Sequence, residues 1–218
     1  MLPGPTYIRE CPHCHGKFTE PSMTSGNTFG AKFWPDGKMD APMMPSYPAY
    51  VGCPHCTASF WLEDTKEVGS ISWGEEIEIT DLGSKSVQQK NHVRYKSPSE
   101  EIYIQGLREA NLSPEKEIYL RSKLMQLYND VNRDQKIQKP ASEAQIANWN
   151  RLLEILGSIE TEEKLLKVEI HREMGNFDEA KKAFTGEFDE EFMDTMDRLD
   201  KLIEARDARV MCINPHDD

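Results

Sequence analysis

Cys11-Pro12-His13-Cys14 recurs as Cys53-Pro54-His55-Cys56, and each copy has a phenylalanine four residues beyond its second cysteine, Phe18 and Phe60. A Cys-x-x-Cys turn points two soft thiolates inward, and two such turns supply the four donors that close a tetrahedron around one zinc ion. Backbone amides in such a turn also donate to the sulfurs and stabilise their charge. Cys11, Cys14, Cys53 and Cys56 are therefore the candidate ligands of a single Zn2+. Its role is structural, because four thiolates leave no position open for water or substrate. His13, His15 and His55 adjoin the ligands, where the ordinary role is a solvated or hydrogen-bonding knuckle residue. Cys212 is the odd thiol of five.

The elements that must position these thiols read as strands. Tyr7 to Glu10 enters the first knuckle, Ala49 to Val51 enters the second, and Phe60 to Leu62 leaves it. Between the knuckles, Phe29 to Met39 reads as a hairpin around Pro35-Asp36-Gly37, where proline fixes φ and glycine permits φ > 0. Residues 41–48 carry three prolines and exclude a helix. Ile71 to Thr80 alternates apolar and polar residues as an extended segment does. Residues 82–97 read as a polar linker.

From Ser97 onward the signals are helical. Ser97-Pro98 and Ser113-Pro114 pair a capping serine with proline at the first helical position. Ser142 and Gln145 fit a capping box, and Gly157 stops that helix. Further helices are expected from about Glu162 to Met174, from Phe177 to Phe184 and from about Asp189 to Arg209. The expected fold class is α+β: a small N-terminal β domain over 1–81, a linker over 82–97 and an all-α domain over 98–218.

The paired motif resembles zinc-ribbon domains over roughly residues 5–65. The 38 residues between the pairs exceed the usual spacing of about 15–20, and the hairpin and proline-rich stretch fill the difference. Cys-Pro-His-Cys is also the active-site tetrapeptide of oxidising thiol–disulfide enzymes. Those enzymes need one motif between a strand and a helix, followed later by a cis-proline loop; here there are two motifs and no helix signal after either. In the helical half, Gly175, Phe177, Ala180 and Phe184 resemble the turn and second helix of a tetratricopeptide repeat, in which glycine makes the turn and alanine lets helices approach. Lys164 and Lys167 depart from that pattern, and any αα-hairpin with a glycine turn reads the same way. The pattern of ribbon first and repeat-like helices after resembles a group of bacterial cytoplasmic proteins of unassigned function. That resemblance implies architecture and no activity.

Charge separates the two halves. Residues 1–97 hold 9 basic and 11 acidic side chains; residues 98–218 hold 17 and 27, so most of the net charge of −12 lies in the helical half. An acidic half repels phosphate backbones, which makes nucleic acid an unfavoured partner. The cluster Glu187, Asp189, Glu190, Glu191 and Asp194 suits a solvated helix start or a basic partner protein. Phe29, Phe33, Trp34 and Tyr47, within an aromatic and methionine-rich insertion, are the candidate partner-binding residues, their alternative role being core. No secretory signal and no apolar run of membrane-spanning length is visible, which points to the cytoplasm, as does the cysteine usage. No nucleophile–base pair, phosphate loop or supported carboxylate pair stands out. The expected function is a non-enzymatic, zinc-stabilised adaptor that binds another protein. A thiol oxidoreductase and a zinc-ribbon nucleic-acid binder are the alternatives.

Overall fold

The computed structural model describes residues 1–72, 93–133, 135–157, 160–184 and 188–214. The fold is α+β, with antiparallel strands in the N-terminal region and helices after them. Two compact units emerge, and neither is a continuous stretch of chain. The first comprises Met1–Gly30 and Ala41–Gly106; the second comprises Ala31–Asp40 and Leu107–Asp218.

In the first unit, β1 (Leu2–Pro3) pairs with β4 (Met23–Ser25). The central strand β2 (Thr6–Glu10) lies between β3 (Lys17–Glu20) and β9 (Lys66–Ile71), antiparallel to both. β7 (Tyr50–Gly52) and β8 (Ser59–Trp61) form a separate hairpin. Each knuckle therefore joins two paired strands, β2 to β3 and β7 to β8. β9 lies upstream of most of the extended segment expected over 71–80, and residues 73–80 fall outside the described residues.

Residues 93–97, expected to be linker, are built into this unit. Arg94 bridges to Thr19, and Lys96 exchanges backbone hydrogen bonds with Gly52 at 2.8 and 3.1 Å. That threading carries Tyr95 into a core with Cys11, Phe18, Val51, Cys53, Phe60 and Leu62. A ring of that size buried among so few apolar residues supplies much of a small core. The remainder of the expected linker, 82–92, lies outside the described residues. A short helix α1 (Glu100–Gly106) follows and packs on β7 and β8. Ser99 rather than Ser97 stands at its start, its Oγ accepting from the Ile102 N–H at 3.5 Å.

The second unit contains the hairpin expected between the knuckles. β5 (Lys32–Phe33) pairs with β6 (Met39–Asp40) across Pro35-Asp36-Gly37, with Gly37 at φ +77°. Its helices are α2 (Pro114–Asn129), α3 (Glu143–Ile155), α4 (Thr161–Glu173), α5 (Phe177–Ala183) and α6 (Met193–Glu204). Ser113 caps α2 with Pro114 at the first helical position. Ser142 caps α3, but the reciprocal half of the expected capping box is not made: Gln145 Nε2 donates instead to Asn129 Oδ1 at 3.0 Å. Gly175, at φ +76°, turns α4 into α5, and Ala180 is fully buried where α5 meets its neighbours. The last helix ends at Glu204, short of the expected Arg209. The chain then runs irregularly, so that Val210 and Cys212 pack against Trp34.

Candidate metal centre

Each knuckle closes on itself in the same way. The Cys11 N–H donates to Gly16 O at 3.1 Å, and the Cys53 N–H donates to Ala58 O at 2.8 Å. Two residues beyond each first cysteine an amide points at its sulfur: His13 N–H to Cys11 Sγ at 3.4 Å and His55 N–H to Cys53 Sγ at 3.3 Å. The backbone thus offers each buried sulfur a donor before any metal is considered.

Paired strands hold the knuckles face to face. The four Sγ atoms of Cys11, Cys14, Cys53 and Cys56 lie within 4.8 Å of one another, and Cys14 Sγ sits 3.7 Å from Cys53 Sγ. A tetrahedron with metal–sulfur bonds of about 2.3 Å has edges of about 3.8 Å, so the gathered thiols fit a tetrahedral metal ion. The first cysteine of each pair is fully buried, and the second lies nearer solvent. Phe18 and Phe60, the residues four beyond each pair, meet beneath the site with centroids 5.6 Å apart.

The histidines are knuckle residues. His55 Nε2 donates to Lys17 O at 2.7 Å and so ties the second knuckle to the first. Its ring lies over Gly16, where a Cβ would come within 2.6 Å of the imidazole. His15 adopts φ +58° just after Cys14, a left-handed conformation unusual for a non-glycine residue, and its ring bonds Glu10 at 2.8 Å. His13 is exposed beside Phe60.

Burial pushes the Cys53 thiol up to about 12 and raises that of Cys11, whereas the Gly16 amide draws Cys14 down to about 7. Neutral thiols cannot ligate, so a cation at the centre must displace their protons.

Of the candidate partner-binding residues, Phe29 is 86% exposed and Tyr47 is at the surface. Trp34 does not belong to an exposed set. It is buried within the helical unit, with the Arg133 guanidinium 4.7 Å above its ring. Phe33 is half-buried; its N–H donates to Asn214 Oδ1 at 3.0 Å, and its carbonyl accepts from Ile213 N–H at 2.7 Å. The missed feature is the buried polar anchor of the hairpin, Asp36 with Asn129 and Arg133, for which the only sequence signal is an aspartate at a turn. Among the described residues no helix is long and apolar enough to cross a membrane. Neither the protein-family models, the curated proteins nor the solved structures contain a match to this chain.

Proposed function

We propose that this chain is a non-enzymatic, zinc-stabilised protein-binding module. The observation that carries the reading is the convergence of four thiols, two of them fully buried, with sulfurs within 4.8 Å of one another. Soft thiolates select zinc over hard cations, and a complete set of four protein donors assigns the ion to holding the fold. In this reading the first unit is a ribbon with an unusually long excursion between its knuckles, and α4 with α5 is a repeat-like helical pair. Exposed Phe29, Met43, Met44 and Tyr47 support recognition of another protein, since aromatic and thioether side chains lose little by adapting to a partner surface.

The test begins with zinc per chain and thiol titration. One zinc per chain, lost on thiol alkylation, is expected; a metal-free protein with a readily cycled disulfide would establish the thiol oxidoreductase instead. Salt-dependent retention of DNA or RNA would favour the nucleic-acid reading. Affinity purification from the native host should then recover a protein partner with the zinc-loaded chain.

A further inference from the structure

The second unit contains a cleft of about 1030 Å³ between the β5–β6 hairpin and helices α2, α4 and α6. Its floor is apolar and only partly covered: Phe33, Ile118, Leu166, Phe192 and Ile213 line it and are half-buried. Its rim is acidic. Glu191, Asp194 and Asp197 recur at spacings of three along one face of α6 and the turn before it, all exposed, with Glu162 and Glu163 contributed by α4.

The charge at this rim is largely uncompensated. Asp36 is neutralised by Arg133, and Lys38 is engaged by Asp130. That leaves five carboxylates lining the cleft against Arg198 and Lys201. Among the described residues Glu162, Glu191, Asp194 and Asp197 make no ion pair. The unit as a whole holds 27 acidic and 19 basic side chains, a net of −8. These carboxylates are also dispersed: among the described residues, only the four cysteines gather closely enough to hold one metal ion. A row of separated negative charges beside an apolar floor complements a row of separated positive charges beside apolar side chains. The volume lies at the upper limit of small-molecule sites, roughly 300–1,000 Å³, and suits a stretch of polypeptide.

The geometry points to this cleft as the docking site for a cationic amphipathic segment of a partner protein. The segment lays apolar side chains on Phe33, Leu166, Phe192 and Ile213 and aims lysine or arginine at Glu191, Asp194 and Asp197, the helix-in-groove mode of recognition. The hairpin wall is fixed in advance by buried polar bonds from Asp36 to Asn129 at 3.0 Å and to Arg133 at 2.5 Å, so little ordering is required on binding. This inference rests on the protein-binding reading and supplies the partner's chemistry.

The experiment is fluorescence anisotropy on the full zinc-loaded chain. The probes are a short labelled peptide of leucine and lysine patterned as an amphipathic helix, the same peptide with glutamate in place of lysine, and a scrambled lysine version. The first should bind, weaken as salt rises, and lose about tenfold in affinity to the triple variant E191Q/D194N/D197N. A control triple of equal charge change elsewhere in the unit, E109Q/E143Q/E204Q, should lose less than about threefold. All six positions are exposed, so both variants should fold, which circular dichroism checks. No binding, equal binding of the glutamate or scrambled peptide, or equal losses in the two triples would overturn the cleft. Affinity capture from the host with both the cleft triple and F29S/Y47S separates the two levels. A partner kept by the cleft triple but lost by F29S/Y47S overturns the cleft and keeps the protein-binding reading. Failure of the wild-type chain to bind any protein sinks both.

Discussion

Asp36, at the tip of the β5–β6 hairpin, lies 2.5 Å from the guanidinium of Arg133, and both side chains are almost wholly withdrawn from solvent. Asn129 donates to the same carboxylate at 3.0 Å, and Arg133 also covers the ring of Trp34. Breaking one member of a buried, hydrogen-bonded pair strands the other charge. Asp36→Ala or Arg133→Ala should each destabilise the chain by roughly 3–5 kcal/mol. Chemical denaturation measures this, and replacing both residues should cost less than the sum of the single changes.

The metal centre sets a second expectation. Cys53→Ser removes a fully buried donor and should abolish stoichiometric zinc binding. Since the free Cys53 thiol stands at about 12 and Cys11 is also raised, zinc uptake must expel protons. Affinity should therefore rise with pH between about 5 and 8. Competition with a chromophoric chelator across that range gives the slope, and a flat profile would contradict thiolate ligation.

Tyr95 tests whether the segment after residue 92 belongs to the metal unit. It is 3% exposed and packed with both knuckle phenylalanines. Tyr95→Ala should cost about 3–5 kcal/mol, as other large aromatic truncations in cores do, and should weaken zinc retention with it. A change of stability within experimental error would return this segment to the role of a linker.

Glu173 contributes an alkaline weakness. Burial, reinforced by the Glu169 and Asp36 carboxylates, raises its carboxyl well above the usual range, and its Oε2 has no hydrogen-bond partner among the described residues. In the unfolded chain this group ionises near about 4.3. Above that pH the folded state holds a proton that the unfolded state has lost, so stability declines as pH rises until Glu173 itself ionises. Glu173→Gln should flatten that decline, matching wild type in acid and exceeding it at neutral pH, as denaturation over a pH series would show.

Glu117 acts with the opposite sign. The Arg151 guanidinium, aided by Arg121 one turn along α2, holds its carboxyl down at about 2, and the Arg151 contacts join α3 to α2 at 2.9 and 3.1 Å. The stability it supplies is fully present above about 4.3 and is lost as pH falls toward 2. Glu117→Gln should lower stability by about 1 kcal/mol at neutral pH, a modest figure because solvent screens part of the site. The deficit should shrink in acid and at high salt.

The sequence by itself determined the chemistry and the local geometry. Two Cys-Pro-His-Cys turns name their four donors, because ligand type and spacing belong to the chain. Ser113, Ser142, Pro114 and Gly175 mark helix ends, because caps and φ-restricted residues act within a turn of where they stand. The hairpin around Pro35-Asp36-Gly37 was legible for the same reason. Only the tertiary structure decided which unit received that hairpin. Its place depends on Asp36 meeting Arg133, 97 positions away in the chain, and no local preference encodes so distant a pairing. The same holds for Tyr95, which reads as linker in a polar stretch and becomes core because Thr19 and Gly52 bond the backbone on either side of it. The cleft is likewise a product of assembly: its acidic row is visible along the chain, but its apolar floor exists only where the hairpin, three helices and the segment around Ile213 converge.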